Sequence, residues 1–151
     1  MPTDHHRAVE LLGRIPYGRV SASRRALPFT AVTRHLVLAD GRLMILLHRG
    51  YDYHRALDGS VVAYEADNVG SGADDTWSVQ CTGTARVIAP TPAERARFDP
   101  APRLADGVPF EPVFLRMEPE FVTLHLLTGC RSPAVRTLRE ALPRAHSDGC
   151  K

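Results

Sequence analysis

The chain has 151 residues, 44% of them hydrophobic, and a formal net charge of +2. That length is one domain's worth of protein with room for a real core, and so small a charge gives no argument for a nucleic-acid partner. No apolar run reaches the roughly 18 residues of a membrane span, and the polar start through Asp4, His5, His6 and Arg7 has no signal-peptide core, so a cytoplasmic protein is expected.

Taken in chain order, residues 4–13 read as a short helix capped by Thr3 or Asp4, with Val9, Leu11 and Leu12 on its apolar side and Gly13 at its end. Gly18–Ser23 reads as a first strand, broken by a basic turn at Arg24–Arg25. Pro28–Leu38 and Leu43–Leu47 read as a hairpin joined by a two-residue I′ turn at Asp40–Gly41. Residues 50–59 form a loop with a helical turn at His54–Leu57. Strands at 61–66 and 77–88 flank a polar segment, 70–75. The second of these alternates with period two: Trp77, Val79, Cys81, Gly83, Ala85 and Val87 share one face. Ala93–Phe98 reads as a helical patch capped by Thr91, and 99–112 as a proline-rich loop. Val113–Met117 and Phe121–Leu127 read as strands, and Pro133–Leu142 as a terminal helix with a proline suited to its first turn. The expected fold is mainly β with short helices: a six- to seven-stranded antiparallel split barrel of Greek-key type over 1–130, then a helix and tail over 131–151.

Cysteines 81, 130 and 150 form neither a disulfide framework nor a C-x-x-C motif; Cys81 sits on a strand's apolar face as a small hydrophobe. Lys151 is the only lysine, a skew toward arginine that fits a GC-rich genome. Asp74–Asp75 and Glu118–Glu120 read as solvated loop carboxylates. The chain has no nucleophile elbow and no G-x-G-x-x-G. Seven histidines are present; His35, His48, His54 and His125 lie on or beside strands, without a standard metal spacing.

The apolar-then-acidic strand Val61–Asp67, the polar loop after it and the run Trp77-Ser78-Val79…Gly83…Ala85 resemble the flavin-binding split-barrel family of pyridoxamine 5'-phosphate oxidases. Gly18-Arg19-Val20-Ser21 is similar to that family's opening strand, and Phe114–Thr123 to its last hairpin. The resemblance runs from Leu11 to Leu127. It implies FMN as cofactor, with the deazaflavin F420 as alternative and a non-catalytic or haem-binding module as a further one. It also implies a homodimer, a small-molecule substrate and an oxidoreductase passing hydride between flavin and that substrate after reduction by a nicotinamide cofactor. By the same resemblance Val32 and Thr33 offer backbone contacts to the ring, Leu47 and His48 form the pair at the end of the third strand, and Trp77 closes one side. A phosphate dianion needs charge-assisted donors, for which Arg34, Arg49 and Arg55 are the candidates, with His48 and His54 beside them. His48 is the candidate for catalysis. The family's lysine and closing glycine–arginine are absent; Tyr53-His54-Arg55 and Leu124-His125 stand in their places.

Overall fold

The computed structural model describes residues 4–129; the expected helix at 133–142, Cys130 and Cys150 lie outside them. Helix α1 (Asp4–Gly13) leads into strands β1 (Tyr17–Arg24), β2 (Leu27–Val37) and β3 (Leu43–His48). A 3₁₀ turn (Arg49–Tyr51) and helix α2 (Tyr53–Leu57) follow, then β4 (Val61–Asp67) and β5 (Thr76–Ile88). Helix α3 (Pro92–Ala96) precedes the small strands β6 (Leu104–Ala105) and β7 (Val108–Pro109), and the described chain closes with β8 (Pro112–Met117) and β9 (Phe121–Leu127).

The seven long strands run in the order β4-β1-β2-β3-β8-β5-β9, and β4 also pairs with β5. Six strands therefore close a barrel and β9 is an addition to it; every ladder is antiparallel. Alternation along β5 sends Val79, Cys81, Gly83 and Ala85 inward, as the period-two reading requires. Strand β3 is buried on both faces, which is why it reads as an unbroken apolar run. Leu43, Ile45 and Leu47 join the barrel interior, while Met44 and Leu46 pack outward with Phe98 and Phe114 beneath α3 and the segment after it. Helix α1 plugs one end of the barrel through Ala8, Leu11 and Leu12; Ala8 takes the buried place expected of Val9. The α3 cap is reciprocal: Glu94 N–H donates to Thr91 Oγ1 at 3.1 Å and Thr91 N–H to Glu94 Oε1 at 3.0 Å.

The turns differ from the sequence expectation. Asp40–Gly41 is not a two-residue I′ turn. Only Gly41 has positive φ, and Leu38 pairs with Arg42 around a three-residue loop, the arrangement in which one left-handed residue follows a type I turn. Two-residue loops with both φ positive occur instead at Arg25–Ala26, joining β1 to β2, and at Asp106–Gly107, joining β6 to β7. Residues 99–112 are thus not plain loop, since they contain a small hairpin. Arg25 and Ala26, at φ 50° and 63°, adopt the left-handed region without a glycine, which costs about 1–2 kcal/mol per residue. The double substitution Arg25→Asn with Ala26→Gly is expected to raise stability by about 1 kcal/mol, after allowance for the freedom glycine gains when unfolded. Urea denaturation measures this, and a less stable double variant would contradict the turn assignment.

Candidate functional site

The barrel opens between β2 and β3. Their ladder runs from Val37↔Leu43 to Arg34↔Leu46 and stops there, while β2 stays paired with β1 from Arg34 to Leu27. His35 N–H donates to Pro16 C=O at 2.9 Å on the β1 side. Peptide groups alternate sides along a strand, so Thr33 also faces β1, opposite Gly18. Val32 faces the gap, and its N–H and C=O have no ladder partner there.

A cleft of about 140 Å³ occupies this gap, lined among others by Tyr17, Val32, Thr33, Arg34, His48 and Tyr51. Leu104, Ala105 and Phe110, from the small hairpin and the residue after it, form its cover. The wall is apolar with a few convergent polar groups, the usual character of a small-molecule site. The outward side is apolar as well: Val32 is 65% exposed and Leu104 63%. Tyr17 and Val32 continue into a shallow neighbouring hollow that ends at Val69.

His48 is buried between aromatic rings, edge-on to Tyr51 at 5.0 Å and tilted against Phe110 at 5.2 Å. Glu111 N–H donates to its Nδ1 at 3.0 Å. A neutral imidazole accepting at Nδ1 carries its proton on Nε2, so the remaining nitrogen is a donor and not a metal-ligating lone pair. Gly50 lies against that nitrogen; a Cβ there would stand 2.4 Å from Nε2.

Arg34 does not stand free. Its guanidinium donates to the carbonyls of Phe98 and Pro100, the latter at 2.7 Å, and lies 6.0 Å from the Tyr17 ring centre. It therefore ties the covering segment to β2. Arg49 opens the 3₁₀ turn that ends at Tyr51, and His54 and Arg55 lie on α2 just after it. Arg55 is held by Asp52 at 2.9 Å, and Arg24 reaches the same carboxylate at 3.3 Å. Arg49 is exposed, with no side-chain ion pair among the described residues. Burial first, and then the charge of Arg49, hold the His54 pKa below the ordinary imidazole value. His54 Nδ1 is itself buried without a hydrogen-bond partner.

The structure thus brings Val32, Thr33, Arg34 and His48 to one cleft and sets Arg49, His54 and Arg55 beside it. Leu47 points into the barrel core. Trp77, on β5, packs against that core and does not line the cleft. The four strand histidines do not converge. His35 is buried inside the barrel, His125 is exposed on β9, and no group of three His, Cys, Asp or Glu side chains among the described residues could hold a metal ion. Sequence reasoning missed Tyr17, Tyr51, Leu104 and Phe110. The signal available for the last two was the apolar spacing Leu104, Val108, Phe110 about an Asp-Gly pair.

The motif residues around the cleft have structural reasons of their own. A Cβ on Gly18 would stand 2.5 Å from the Tyr64 hydroxyl, so only glycine leaves room for that buried ring. Arg19 bridges to β4, reaching Glu65 at 2.8 Å and Asp67 at 3.1 Å. No helix among the described residues is long and apolar enough to cross a membrane.

The chain is 32% identical over 136 residues to a protein of Mycobacterium tuberculosis described as uncharacterized, covering 86% of this chain and 88% of that one. Its fold matches two solved structures from Mycobacterium smegmatis. One is of an FAD binding protein, with a TM-score of 0.61 and 20% identity over 80% of this chain and 94% of that one. The other is of an FAD and heme binding protein, with a TM-score of 0.62 and 22% identity over 88% of this chain and 76% of that one. The family model described as pyridoxamine 5'-phosphate oxidase matches residues 4–126. With that span and the shared split barrel, the chain belongs to the pyridoxamine 5'-phosphate oxidase family.

Proposed function

We propose that the protein is a flavin-dependent oxidoreductase that binds its cofactor at the β2–β3 gap as a homodimer. The observation that carries this reading is the unpaired peptide of Val32 at the mouth of an apolar cleft. A flavin ring presents a polar edge that needs backbone donors and acceptors, set in an apolar slot. Membership of the family supports the reading, as do solved relatives described as FAD binding, one of which also binds haem. The donor tautomer of His48 argues against this residue as a haem ligand. It suits a hydrogen bond to an acceptor instead.

The cleft of one protomer, about 140 Å³, is below the ~300 Å³ at which small-molecule sites begin. The exposed Tyr17, Val32 and Leu104 line it, Val69 lies in the adjoining hollow, and all four would be covered by a second copy, which supplies the missing wall. A bound flavin supplies the redox chemistry by accepting and returning hydride. The chain's own residues bind and orient it: Val32 at the ring edge, Phe110 and Tyr51 excluding water, and Arg49 toward the phosphate end. FMN is the form the sequence resemblance implies, with FAD and F420 as the competing forms.

The test is a titration of purified protein with FMN, FAD and F420, read by absorbance near ~450 nm for the two flavins and by thermal shift for all three, with light scattering for mass. One ligand is expected to raise the melting temperature of a dimer. Arg49→Ala is expected to weaken that ligand by a lost charge-assisted contact of roughly 1.5–3 kcal/mol. Arg55→Ala should cost less, since Asp52 already holds that guanidinium. Val32→Arg should produce a monomer that no longer binds. A monomeric wild type with none of the three ligands bound would end the proposal.

A further inference from the structure

The outer face of the sheet is only partly roofed. Helix α3 and the segment after it cover Met44, Leu46 and Phe114. Farther along the same strands the roof ends and a groove of about 420 Å³ opens. It shares no lining residue with the β2–β3 cleft, so a ligand in the groove would not depend on a flavin in the cleft.

Three guanidinium groups line this groove: Arg42 after the β2–β3 turn, Arg86 on β5 and Arg116 on β8. Arg86 and Arg116 are direct register partners. Like charges directly opposite one another destabilise a strand pair. Neither has an ion pair among the described residues, and Arg116 Nε is buried with no hydrogen-bond partner. A buried, unpaired cationic donor is costly.

The nearby acids leave that cost in place. Asp40 is taken by Arg42 at 2.6 Å. Glu94 feels the charges of Arg116 and Arg42 but is committed to the α3 cap. Glu118 and Glu120 line the groove without reaching either opposed guanidinium as an ion pair.

We propose that this groove is a binding site for a small ligand bearing one oxyanion, a phosphate or a carboxylate, held between Arg86 and Arg116. An oxyanion there would screen the opposed charges and accept from Arg116 Nε, and a guanidinium fork matches such a group geometrically. Thr84, two residues before Arg86 on the same face of β5, adds a hydroxyl to the wall. The carboxylates of Glu118 and Glu120 disfavour a polyanion. They favour a ligand whose remaining groups are hydroxyl or amino donors.

The probes are inorganic phosphate and lactate, a hydroxyl-bearing monocarboxylate, titrated calorimetrically against the full chain. Saturable binding of at least one probe, at one site per chain, is expected. Arg116→Gln and Arg86→Gln should each weaken it about tenfold or more, while Arg7→Gln, at an exposed position of α1, leaves it unchanged. In anion-free buffer Arg86→Gln is expected to raise the melting temperature, because the repulsion is relieved. Added phosphate or lactate should then stabilise the wild type and not the variant. Absence of binding by both probes, binding that survives both glutamine substitutions, or an Arg86→Gln variant less stable than wild type without anion would each overturn the proposal.

Discussion

Gly83→Ala is expected to cost at least about 3 kcal/mol of stability. Gly83 faces inward on β5 beneath the turn that joins β8 to β9. A Cβ built there would stand 1.9 Å from the carbonyl oxygen of Glu118, 3.0 Å from its carbon and 3.5 Å from Glu120 N. All three atoms are backbone, so no side chain can swing away. The turn is also fastened to the same strand, since Glu120 N–H donates to Thr82 C=O at 2.9 Å. Relief requires lifting the turn and breaking that bond, which would pull β9 from its ladder with Thr76–Thr82. The φ of Gly83 is not positive, so the requirement is one of space and not of backbone freedom. Thermal unfolding measures it: a loss of this size in a domain of this length lowers the melting temperature by roughly 10 °C. A variant that melts close to wild type would mean the β8–β9 turn does not cross β5 at Gly83.

The same glycine shows why parts of this fold were legible in the sequence. The alternation on β5 is a local signal, and it predicted Val79, Cys81, Gly83 and Ala85 on one face, which is where they lie. The doubly buried β3 was legible as a strand. Which two layers covered it was not, because the outer layer comes from Phe98 and Phe114, more than fifty residues away. The turns failed for a physical reason. An Asp-Gly pair marks a positive-φ turn, but two such pairs that could close hairpins occur, at 40–41 and 106–107. Only the second closes a two-residue loop, while the first sits where Leu38 and Arg42 allow three residues between them. At the site, Val32 and His48 were placed by resemblance to one family and do share a cleft. Arg34 was expected to face a phosphate and instead holds two carbonyls of the covering segment, a long-range contact that no local pattern encodes. The buried partnership of His35 was equally invisible, since its partners come from α1 and β4.

That partnership gives the second large effect. His35 Nε2 lies 2.8 Å from Leu12 C=O, a group that can only accept, so the ring donates there. Its Nδ1 then accepts from the Tyr64 hydroxyl at 2.6 Å, and that hydroxyl in turn receives Thr33 Oγ1 at 3.4 Å. The chain from Thr33 through Tyr64 and His35 to Leu12 is satisfied only while His35 is neutral, and burial lowers its pKa below the ordinary 6.5. Burial also pushes the Tyr64 hydroxyl up, so it remains a donor. His35→Leu would leave the Leu12 carbonyl and the Tyr64 hydroxyl without partners, an expected loss of about 2–6 kcal/mol. Tyr64→Phe removes one link and should cost about 1–3 kcal/mol. The pH dependence follows from the depressed pKa. Above pH 6.5 both folded and unfolded states hold His35 neutral, and its contribution is complete. Below that value the unfolded chain takes up the proton first, so stability falls as pH drops toward the folded pKa. His54, also lowered, adds a slope of the same sign, whereas Asp40 and Glu94 act only in the carboxylate range. Urea unfolding at a series of pH values from neutral to mildly acidic should show wild-type stability declining, and Glu65, whose pKa burial raises, contributes a slope of the opposite sign and cannot produce that decline. The decline should be shallower in His35→Leu and nearly absent when His54→Asn is added. A wild-type slope that His35→Leu leaves unchanged would show that His35 takes up its proton equally in the folded and the unfolded chain, against the neutral hydrogen-bond chain, and a steeper slope in the variant would show an imidazole held charged in the folded barrel, with the hydrogen-bond direction at Tyr64 reversed.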